Sequence, residues 1–275
     1  MSLSVHTNQS SLTAQRSLNS TQLSLNNSQQ RLSTGLRINS AKDDAAGLQI
    51  ANRMESQTRG LSVAQRNAAD GISMSQTAEG ALKEVSNILQ RQRELALQAA
   101  NGTNSADDKD ALNKEFTELN AELGRIKETT TFAGNKLFGG SGALGGSGVS
   151  FQVGADTGTG NQISVAVNTD AAFTVSGSLG ASGDPKAVVA SIDTALKNVG
   201  GNMAQLGALQ NRFQSTINNL SNIEENVSVA KGRIMDADIA KESANMTKQN
   251  MMMQAGISVL SQANQTPSMI MGLLR

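Results

Sequence analysis

The chain lacks cysteine, tryptophan and tyrosine and has a single histidine, His6, among its 275 residues. Without cysteine it has no thiolate nucleophile and no thiolate metal ligand. With one histidine it has no candidate for a histidine-based triad. The missing cysteine does not fix the compartment, because it suits a cytoplasmic protein and an exported one equally. We predict that the protein is not an enzyme and that it binds no cofactor or metal.

Neither charge nor hydropathy indicates a nucleic acid or a membrane as a partner. Basic and acidic residues number 23 each, and no basic stripe is interleaved with aromatic residues, so phosphate contacts and base stacking have few candidates. No run of about 18 apolar residues could span a bilayer. The N-terminal residues also lack a basic segment followed by an apolar run, which argues against an ordinary secretory signal peptide.

Three patterns that could indicate chemistry have simpler interpretations. We interpret the neighbouring carboxylates as helix caps or solvated faces: Asp43 and Asp44, Glu224 and Glu225, Asp236 and Asp238. Residues 140–145 match G-x-G-x-x-G, but a probable strand follows them where a phosphate site needs a helix. We therefore predict a flexible loop there. The three methionines at 251–253 could bind a soft metal or form an adaptable surface, although helix packing is the favoured interpretation.

The chain is rich in seven-residue apolar repeats near both of its ends. Leu18, Leu25 and Leu32 form one row. A longer row follows toward the C-terminus: Ile192, Val199, Leu206, Phe213, Leu220, Val227 and Ile234. A further stripe consists of Ile239, Met246, Met253 and Leu260. Such a stripe needs a partner helix to cover it, and 2% aromatic residues are few for a thick globular core. We predict a mainly α protein, an elongated antiparallel helical bundle or coiled coil formed by both chain ends.

The spacing of apolar residues predicts long helices, and the middle of the chain predicts a small β-hairpin region. Helices are expected at about 4–33, 45–100, 106–128 and 185–234, with another beyond residue 235. Gly, Ser, Thr and Val dominate the middle, where 149–153 and 163–167 alternate like short strands. Three domains are predicted: an inner coiled-coil domain (1–44 plus 236–275), a rod-like helical domain (45–138 plus 185–235) and a β-rich insertion (139–184).

Two local questions remain open from the sequence alone. The helix that begins near residue 45 can take its N-cap from Asp43 or Asp44. The same helix contains four glycines, each costing about 1 kcal/mol relative to alanine: Gly47, Gly60, Gly71 and Gly80. They indicate either an imperfect helix or places where a neighbouring helix or subunit approaches closely.

Several long segments, in order, resemble bacterial flagellin. These are LSTGLRINSAKDDAAG at 32–47, RNAADGIS at 66–73, LQRQRELA at 89–96, QAGISVLSQANQ at 254–265 and the closing LLR at 273–275. The resemblance covers about 1–138 and 185–275. The middle, at about 50 residues, is too short for the family's large outer domains, so the chain resembles a short flagellin.

The resemblance implies a structural subunit that polymerises helically into the extracellular flagellar filament used for motility. It also implies export by the flagellar type III route without a cleaved signal peptide, and three partners: the export apparatus, a flagellin chaperone and the filament cap. The predicted polymerisation stripe consists of Leu18, Leu25, Leu32, Ile239, Met246, Met253 and Leu260. The predicted seam of the rod consists of Leu206, Phe213, Leu220, Val227 and Ile234.

The resemblance further implies an animal partner, Toll-like receptor five, which binds the flagellin rod. The matching residues here are Gln90, Arg91, Leu95 and Glu115. Arg91 and Leu95 lie four residues apart and share one helix face. The alternative interpretation is that Leu95 belongs to the core and that Arg91 is merely solvated.

Two other functions compete with the filament subunit. A hook–filament junction protein shares the terminal architecture, although the match at 32–47 and 254–265 favours filament flagellin. A cytoplasmic coiled-coil adaptor belongs to a different class and would not need the closing LLR.

Overall fold

The structure is a computed structural model that describes residues 7–140, 142–146, 148–167, 170–180 and 183–273, with side chains up to residue 265. Five α-helices lie within these residues: α1 (Gln9–Thr34), α2 (Ala45–Ala99), α3 (Ala106–Thr129), α4 (Pro185–Met235) and α5 (Ile239–Leu273). Four short strands form two antiparallel hairpins: β1 (Thr131–Phe132) with β2 (Asn135–Lys136), and β3 (Val149–Gln152) with β4 (Gln162–Val165). The predicted fold class, mainly α with a small β-hairpin region, is confirmed.

The ends of the helices follow from local capping. Asn8 precedes α1, and its side chain accepts a hydrogen bond from the Ser11 backbone N–H at 3.1 Å. Gly35 ends α1 in the left-handed conformation, at φ 71°, which glycine adopts without steric cost. A capping box begins α3, where the Ser105 hydroxyl and the Asp108 carboxylate each accept from the other residue's backbone N–H. Of the two candidates for α2, Asp44 is the cap, because its carboxylate accepts from the Gly47 N–H at 2.8 Å.

The chain divides into two compact units. The terminal unit comprises the described parts of 1–56 and 227–275, and the rod unit comprises 57–226. These limits differ from the predicted domains, since they fall within α2 and α4 rather than at 44/45 and 235/236. Residues 139–184 belong to the same compact unit as the helices around them, because their apolar side chains complete the core of that unit.

The core of the rod unit is built from α2, α3, α4 and the two hairpins. Four residues of the long heptad are at most 1% exposed and belong to this core: Ile192, Val199, Leu206 and Phe213. Leu220, the next in the row, packs with Leu61 and Ala64. Val227 and Ile234 lie in the terminal unit and are half-buried.

Three of the four glycines in α2 mark close approaches. A Cβ at Gly71 would lie 2.7 Å from Phe213 Cζ, and one at Gly60 would lie 2.9 Å from Ala155 Cβ. A Cβ at Gly47 would lie 2.8 Å from Ile38 Cδ1 and closer still to the Asp44 carboxylate. Nothing lies within 4 Å of a Cβ at Gly80. Close approach within the chain therefore explains the first three positions, and Gly80 is an ordinary exposed helix position.

The β region is more ordered than the predicted flexible loop. In the β1–β2 hairpin both turn residues have positive φ, 49° at Ala133 and 83° at Gly134, which suits the twist of a two-residue hairpin. The loop after β2 is anchored by Leu144, which is fully buried and whose N–H donates to the Leu137 carbonyl at 3.0 Å. The expectation of a flexible loop was wrong for residues 142–146, because one buried leucine anchors them to the core.

Candidate functional site

In the terminal unit, α1 and α5 pack as an antiparallel pair. Asn8 at the start of α1 donates through Nδ2 to the Ala263 carbonyl at 2.8 Å. Midway along the pair, a Cβ at Gly256 would lie 2.8 Å from Leu18 Cδ1. Beyond the end of α1, Leu36 forms an antiparallel bridge with Asp236. Residue numbers rise on one helix as they fall on the other, so the two chain ends pair with each other.

Both helices meet along a heptad seam with alternating spacings of three and four residues. On α1 the buried and half-buried residues include Ser11, Ala14, Leu18, Thr21, Leu25, Ser28 and Leu32. On α5 they include Glu242, Met246, Gln249, Met253, Gly256, Leu260 and Ala263. Six of the seven residues of the predicted polymerisation stripe therefore lie on the seam between the two helices of one chain. The seventh, Ile239, is 50% exposed at the start of α5.

The seam covers little apolar surface. Every second seam position on α1 is occupied by a small or polar residue. Of the three heptad leucines of α1, only Leu25 is buried, at 5% exposure. Leu18 and Leu32 remain half-buried, as do Met246 and Met253 opposite. Helices this polar gain most of their stability from packing an apolar face. In a pair of two helices, much apolar surface of α1 and α5 stays uncovered and does not contribute to that stability.

The connectors that follow α1 and α4 are joined by backbone hydrogen bonds. The Arg37 N–H donates to the Met235 carbonyl at 2.6 Å, and the Ala237 N–H donates to the Gly35 carbonyl at 2.9 Å. Arg37 Nη2 adds a bond to the Ile234 carbonyl at 2.8 Å. These bonds fix the relative register of the two chain ends where α1 and α5 begin to pair.

Asp43 stabilises the turn between this junction and α2. One carboxylate oxygen accepts from the backbone N–H groups of Asn39 and Ser40, both at 3.0 Å, and from the Ser40 hydroxyl at 3.2 Å. These bonds favour the ionised form, the bond from Asn39 most strongly, and they lower the pKa of Asp43. The carboxylate therefore acts as the organiser of a turn and not as an acid–base group.

The outer surface of the pair carries large apolar side chains. On α1, Leu12 and Leu23 are 47% and 66% exposed. They are eleven residues apart, which is three helical turns, so they share one face, opposite the seam. On α5, four side chains are 47–60% exposed: Met251, Met252, Ile257 and Val259. The four residues of α5 point in different directions around the helix, and only Met252 and Val259, seven residues apart, share a side of it. These six residues together are called the outer apolar face below.

The outer apolar face of α5 also lacks charge. No Asp, Glu, Lys or Arg occurs between Lys248 and Arg275. On α1 the only charged residues are Arg16 and Arg31. Soluble helices usually carry charge on the side that faces water, and an apolar surface on several sides indicates burial. A free terminal unit therefore presents surface of the kind that other protein chains cover.

A second candidate site lies on the rod unit, where α2 and α3 face each other. Arg91 lies between two carboxylates, with its Nη2 2.9 Å from Glu115 Oε1 and its Nη1 3.1 Å from Glu94 Oε2. The Arg91 and Glu115 side chains are 52% and 46% exposed. Gln90 is also exposed.

Leu95 does not belong to that exposed cluster. Its side chain is 1% exposed and packs in the rod core. The prediction that Leu95 contacts a receptor was therefore wrong for this conformation, and the alternative interpretation as a core residue is correct. Arg91 and Leu95 are four residues apart on α2, but Leu95 is buried in the core of the rod unit whereas Arg91 is exposed.

Features that would indicate a metal site or a membrane span are absent from the described residues. Among the described residues, no group of three or more His, Cys, Asp and Glu side chains is arranged to hold a metal ion. None of the described helices has an apolar stretch long enough to cross a bilayer. His6 and the closing Leu274 and Arg275 lie outside the described residues.

Comparison with known proteins decides the family. Residues 5–143 match the bacterial flagellin N-terminal helical region, and residues 189–274 match the bacterial flagellin C-terminal helical region. The chain belongs to the bacterial flagellin family. It is thus a structural subunit of the flagellar filament, which flagellins form outside the cell. The family is one of structural proteins.

Individual flagellins match along their whole length. Flagellin C of Vibrio cholerae serotype O1 is 39% identical over 380 aligned residues that cover all of both chains. Polar flagellin B/D of Vibrio parahaemolyticus is 39% identical over 382, again covering both. Since this chain has 275 residues, these relatives have segments that it lacks, as expected for a short flagellin. A solved Vibrio parahaemolyticus structure, described as a flagellar hook-associated protein, has a TM-score of 0.61 at 18% identity. It covers 70% of this chain and all of that one, and it shares the fold.

The seven-residue apolar repeats predicted the seam but not the outer apolar face. Leu12 and Leu23 do not belong to the row of leucines that repeats every seven positions. The signal that could have found them is a large apolar residue off the heptad in an otherwise polar helix. On α5, the long stretch without charge was the equivalent signal.

Proposed function

We propose that the chain polymerises through the outer apolar face of its terminal unit, where α1 and α5 of one subunit pack against those of its neighbours. The observation that carries this proposal is the exposure of six large apolar side chains on helices that are nearly free of charge. Each is about half exposed, and completing its burial contributes about 1 kcal/mol, or roughly 6 kcal/mol per subunit. A head-to-tail contact that does not close on itself gives a filament.

The predicted stripe has a supporting role in this proposal. Leu18, Leu25 and Leu32 hold α1 against α5 within one subunit, together with Met246, Met253 and Leu260. The stripe thereby keeps the outer apolar face in place. Ile239 differs, since it is 50% exposed at the start of α5 and is not covered by α1.

Substitution of the outer face tests the proposal. Leu23→Gln and Met251→Gln preserve helix propensity, because leucine, methionine and glutamine rank close together, but each removes an exposed apolar side chain. We expect both variants to stay folded by circular dichroism and to form few or no filaments in sedimentation assays and negative-stain images. The matched control is Leu97→Gln, which makes the same change at an exposed leucine of the rod unit. If both terminal variants assemble as well as this control, the outer face does not drive polymerisation.

The proposal extends to export and to the partners that flagellins meet before assembly. Family membership supports secretion through the flagellar type III apparatus, escort by a flagellin chaperone and insertion beneath a filament cap. A terminal unit with so much uncovered apolar surface needs an escort to remain soluble at high concentration. Fractionation of a cell that expresses the chain tests the destination. We expect the protein in the sheared extracellular fibres and not in the cytoplasm, where a coiled-coil adaptor or chaperone would remain.

Family membership also supports recognition of the rod by Toll-like receptor five. Arg91 and Glu115 offer an exposed charge pair that joins two helices, with Gln90 beside it. Such a cluster can exchange its internal ion pair for bonds to a partner. Leu95 is left out, because its burial gives it only an indirect role in supporting α2.

A receptor reporter assay on monomer tests this site. Arg91→Ala and Glu115→Ala should lower potency. Arg125→Ala is the control, because Arg125 is also exposed and its ion pair is with Glu122 on its own helix. Intact filament should signal less than monomer if neighbours cover the rod. Unchanged potency in both variants would exclude the site.

A further inference from the structure

Two adjacent methionines give the outer apolar face a chemical sensitivity. Met251 is 60% exposed and Met252 is 47% exposed. Among the methionines whose side chains are described, these two are the most exposed, whereas Met74 in the rod core is 3% exposed. The chain contains no cysteine, so no thiol competes for an oxidant.

We propose that Met251 and Met252 are oxidation sites, and that their conversion to methionine sulfoxide by a peroxide blocks incorporation of the free subunit into the filament. The effect on assembly rests on the proposed role of the outer apolar face. The reactivity of the two residues does not, because it follows from their exposure alone.

The reaction needs only a peroxide and the thioether. A lone pair of the methionine sulfur attacks one oxygen of hydrogen peroxide, an S–O bond forms and the O–O bond breaks. The sulfur loses two electrons and becomes the sulfoxide. The second peroxide oxygen gains them and leaves as hydroxide, which takes up the proton that the transferred oxygen releases and becomes water. No catalytic residue is required, and exposure decides which sulfur reacts.

The position of these side chains sets the consequence. Sulfoxide oxygen is a strong hydrogen-bond acceptor, whereas the surface around Met251 has no charged residue between Lys248 and Arg275. Covering that oxygen with a neighbour's apolar side chains leaves it without a donor, which is unfavourable. We expect each oxidised methionine to raise the critical concentration for polymerisation about tenfold.

Assembly should also protect the same residues. A sulfur covered by the neighbouring subunit is out of reach of dissolved peroxide, so Met251 and Met252 should react fast in the monomer and slowly in a preformed filament. The seam residue Met253, half-buried against α1, should react more slowly than its two neighbours in the monomer. This order separates oxidation directed by exposure from unselective damage.

Controlled oxidation of the full chain tests the proposal. Monomer is treated with hydrogen peroxide, the peroxide is removed with catalase, sulfoxides are mapped by peptide mass spectrometry, and polymerisation is measured by sedimentation. We expect sulfoxide first at Met251 and Met252, loss of polymerisation, and recovery after treatment with methionine sulfoxide reductases. Met251→Leu/Met252→Leu should polymerise after peroxide as before it, whereas the control Met203→Leu should lose polymerisation like the unmodified chain. The single variants Met251→Leu and Met252→Leu serve if the double variant polymerises poorly before treatment.

Three results would overturn the proposal. The first is faster oxidation of Met203 than of Met251 and Met252, and the second is unchanged polymerisation when Met251 and Met252 are both oxidised. The third is a loss of polymerisation after peroxide that is as large in the double leucine variant as in the unmodified chain. Failure of the untreated chain to polymerise is a different result and counts against the proposed function. Mapping of the monomer would still test the order of reactivity in that case.

Discussion

Replacing Gly71 with alanine tests how closely α2 and α4 pack in the rod unit. The new Cβ would lie 2.7 Å from Phe213 Cζ and 3.0 Å from both Cε atoms, whereas favourable carbon contacts lie at about 3.5–4.0 Å. The Phe213 ring is fully buried and also packs edge-on against Phe151, with centroids 5.6 Å apart. Contacts this short force the buried ring to shift, so the methyl group must strain the packing.

The magnitude follows from comparison with Gly80→Ala. Both changes replace glycine with alanine in the middle of α2, so both gain about 1 kcal/mol of helix propensity. A Cβ at Gly80 meets nothing within 4 Å, so Gly80→Ala should stabilise the protein by that amount. The difference between the two variants is therefore the cost of overpacking alone, about 1–3 kcal/mol.

Thermal unfolding of the monomer, followed by far-ultraviolet circular dichroism, measures that difference. In a unit of this size about 1 kcal/mol shifts Tm by roughly 2–4 °C. Gly71→Ala should therefore melt roughly 2–12 °C below Gly80→Ala. Equal melting temperatures would refute the reasoning, because they would mean that α4 withdraws from α2 at no cost.

Three further changes test other parts of the rod unit. Gln92 is fully buried, and among the described residues its Oε1 has no hydrogen-bond partner, while its Nε2 lies 3.5 Å from the Phe116 carbonyl. Gln92→Met should therefore raise the free energy of unfolding, measured in urea, by about 1–3 kcal/mol. An unchanged midpoint would contradict this. Leu144→Ala should cost about 2–5 kcal/mol, since this side chain anchors its loop, whereas a flexible loop would tolerate the change. Hydrogen bonds from Ser105 lower the pKa of Asp108 in the folded protein. The ionised Asp108 carboxylate should therefore stabilise the fold above the unfolded-state pKa of about 4, and this stabilisation should be lost as the pH falls through the lower pKa of the folded state. The difference between the unmodified chain and Asp108→Ala should accordingly be constant near neutral pH and disappear in strong acid; a difference that grows on acidification would contradict it.

Sequence reasoning predicted the helices well, because each signal was local and repeated. The Asp184–Pro185 start of α4 and the acidic first turn of α3 are short-range signals, and both helices begin within a residue of the expected positions. The two short strands at 149–152 and 162–165 were equally legible from alternation at 149–153 and 163–167, whereas their pairing with each other was not predicted. Features of this kind depend on the residue types of one segment and not on distant neighbours.

What sequence reasoning could not decide depended on distant contacts. Gly71 and Gly80 are the same residue in the same helix, and only the position of Phe213 distinguishes a required glycine from a tolerated one. Leu144 sits among glycines and serines, and the pattern around it gives no sign that it enters the core. Leu95 has the spacing of a surface partner of Arg91, but its burial depends on residues distant in sequence that complete the rod core.

The terminal unit shows why the proposed assembly surface was the hardest site to predict. A heptad stripe is found by its regularity, and it has a use within one subunit, where α1 and α5 cover it. In the proposed function, the residues left for other subunits are those that the regular pattern does not explain, Leu12 and Leu23 on α1 and Met251 on α5. For a helix that packs on two sides, the sequence signal of assembly is therefore the surplus of apolar residues beyond one stripe. In α5 that surplus is accompanied by the loss of all charge after Lys248, and the coincidence of the two distinguishes a surface for other subunits from a chance exposed leucine.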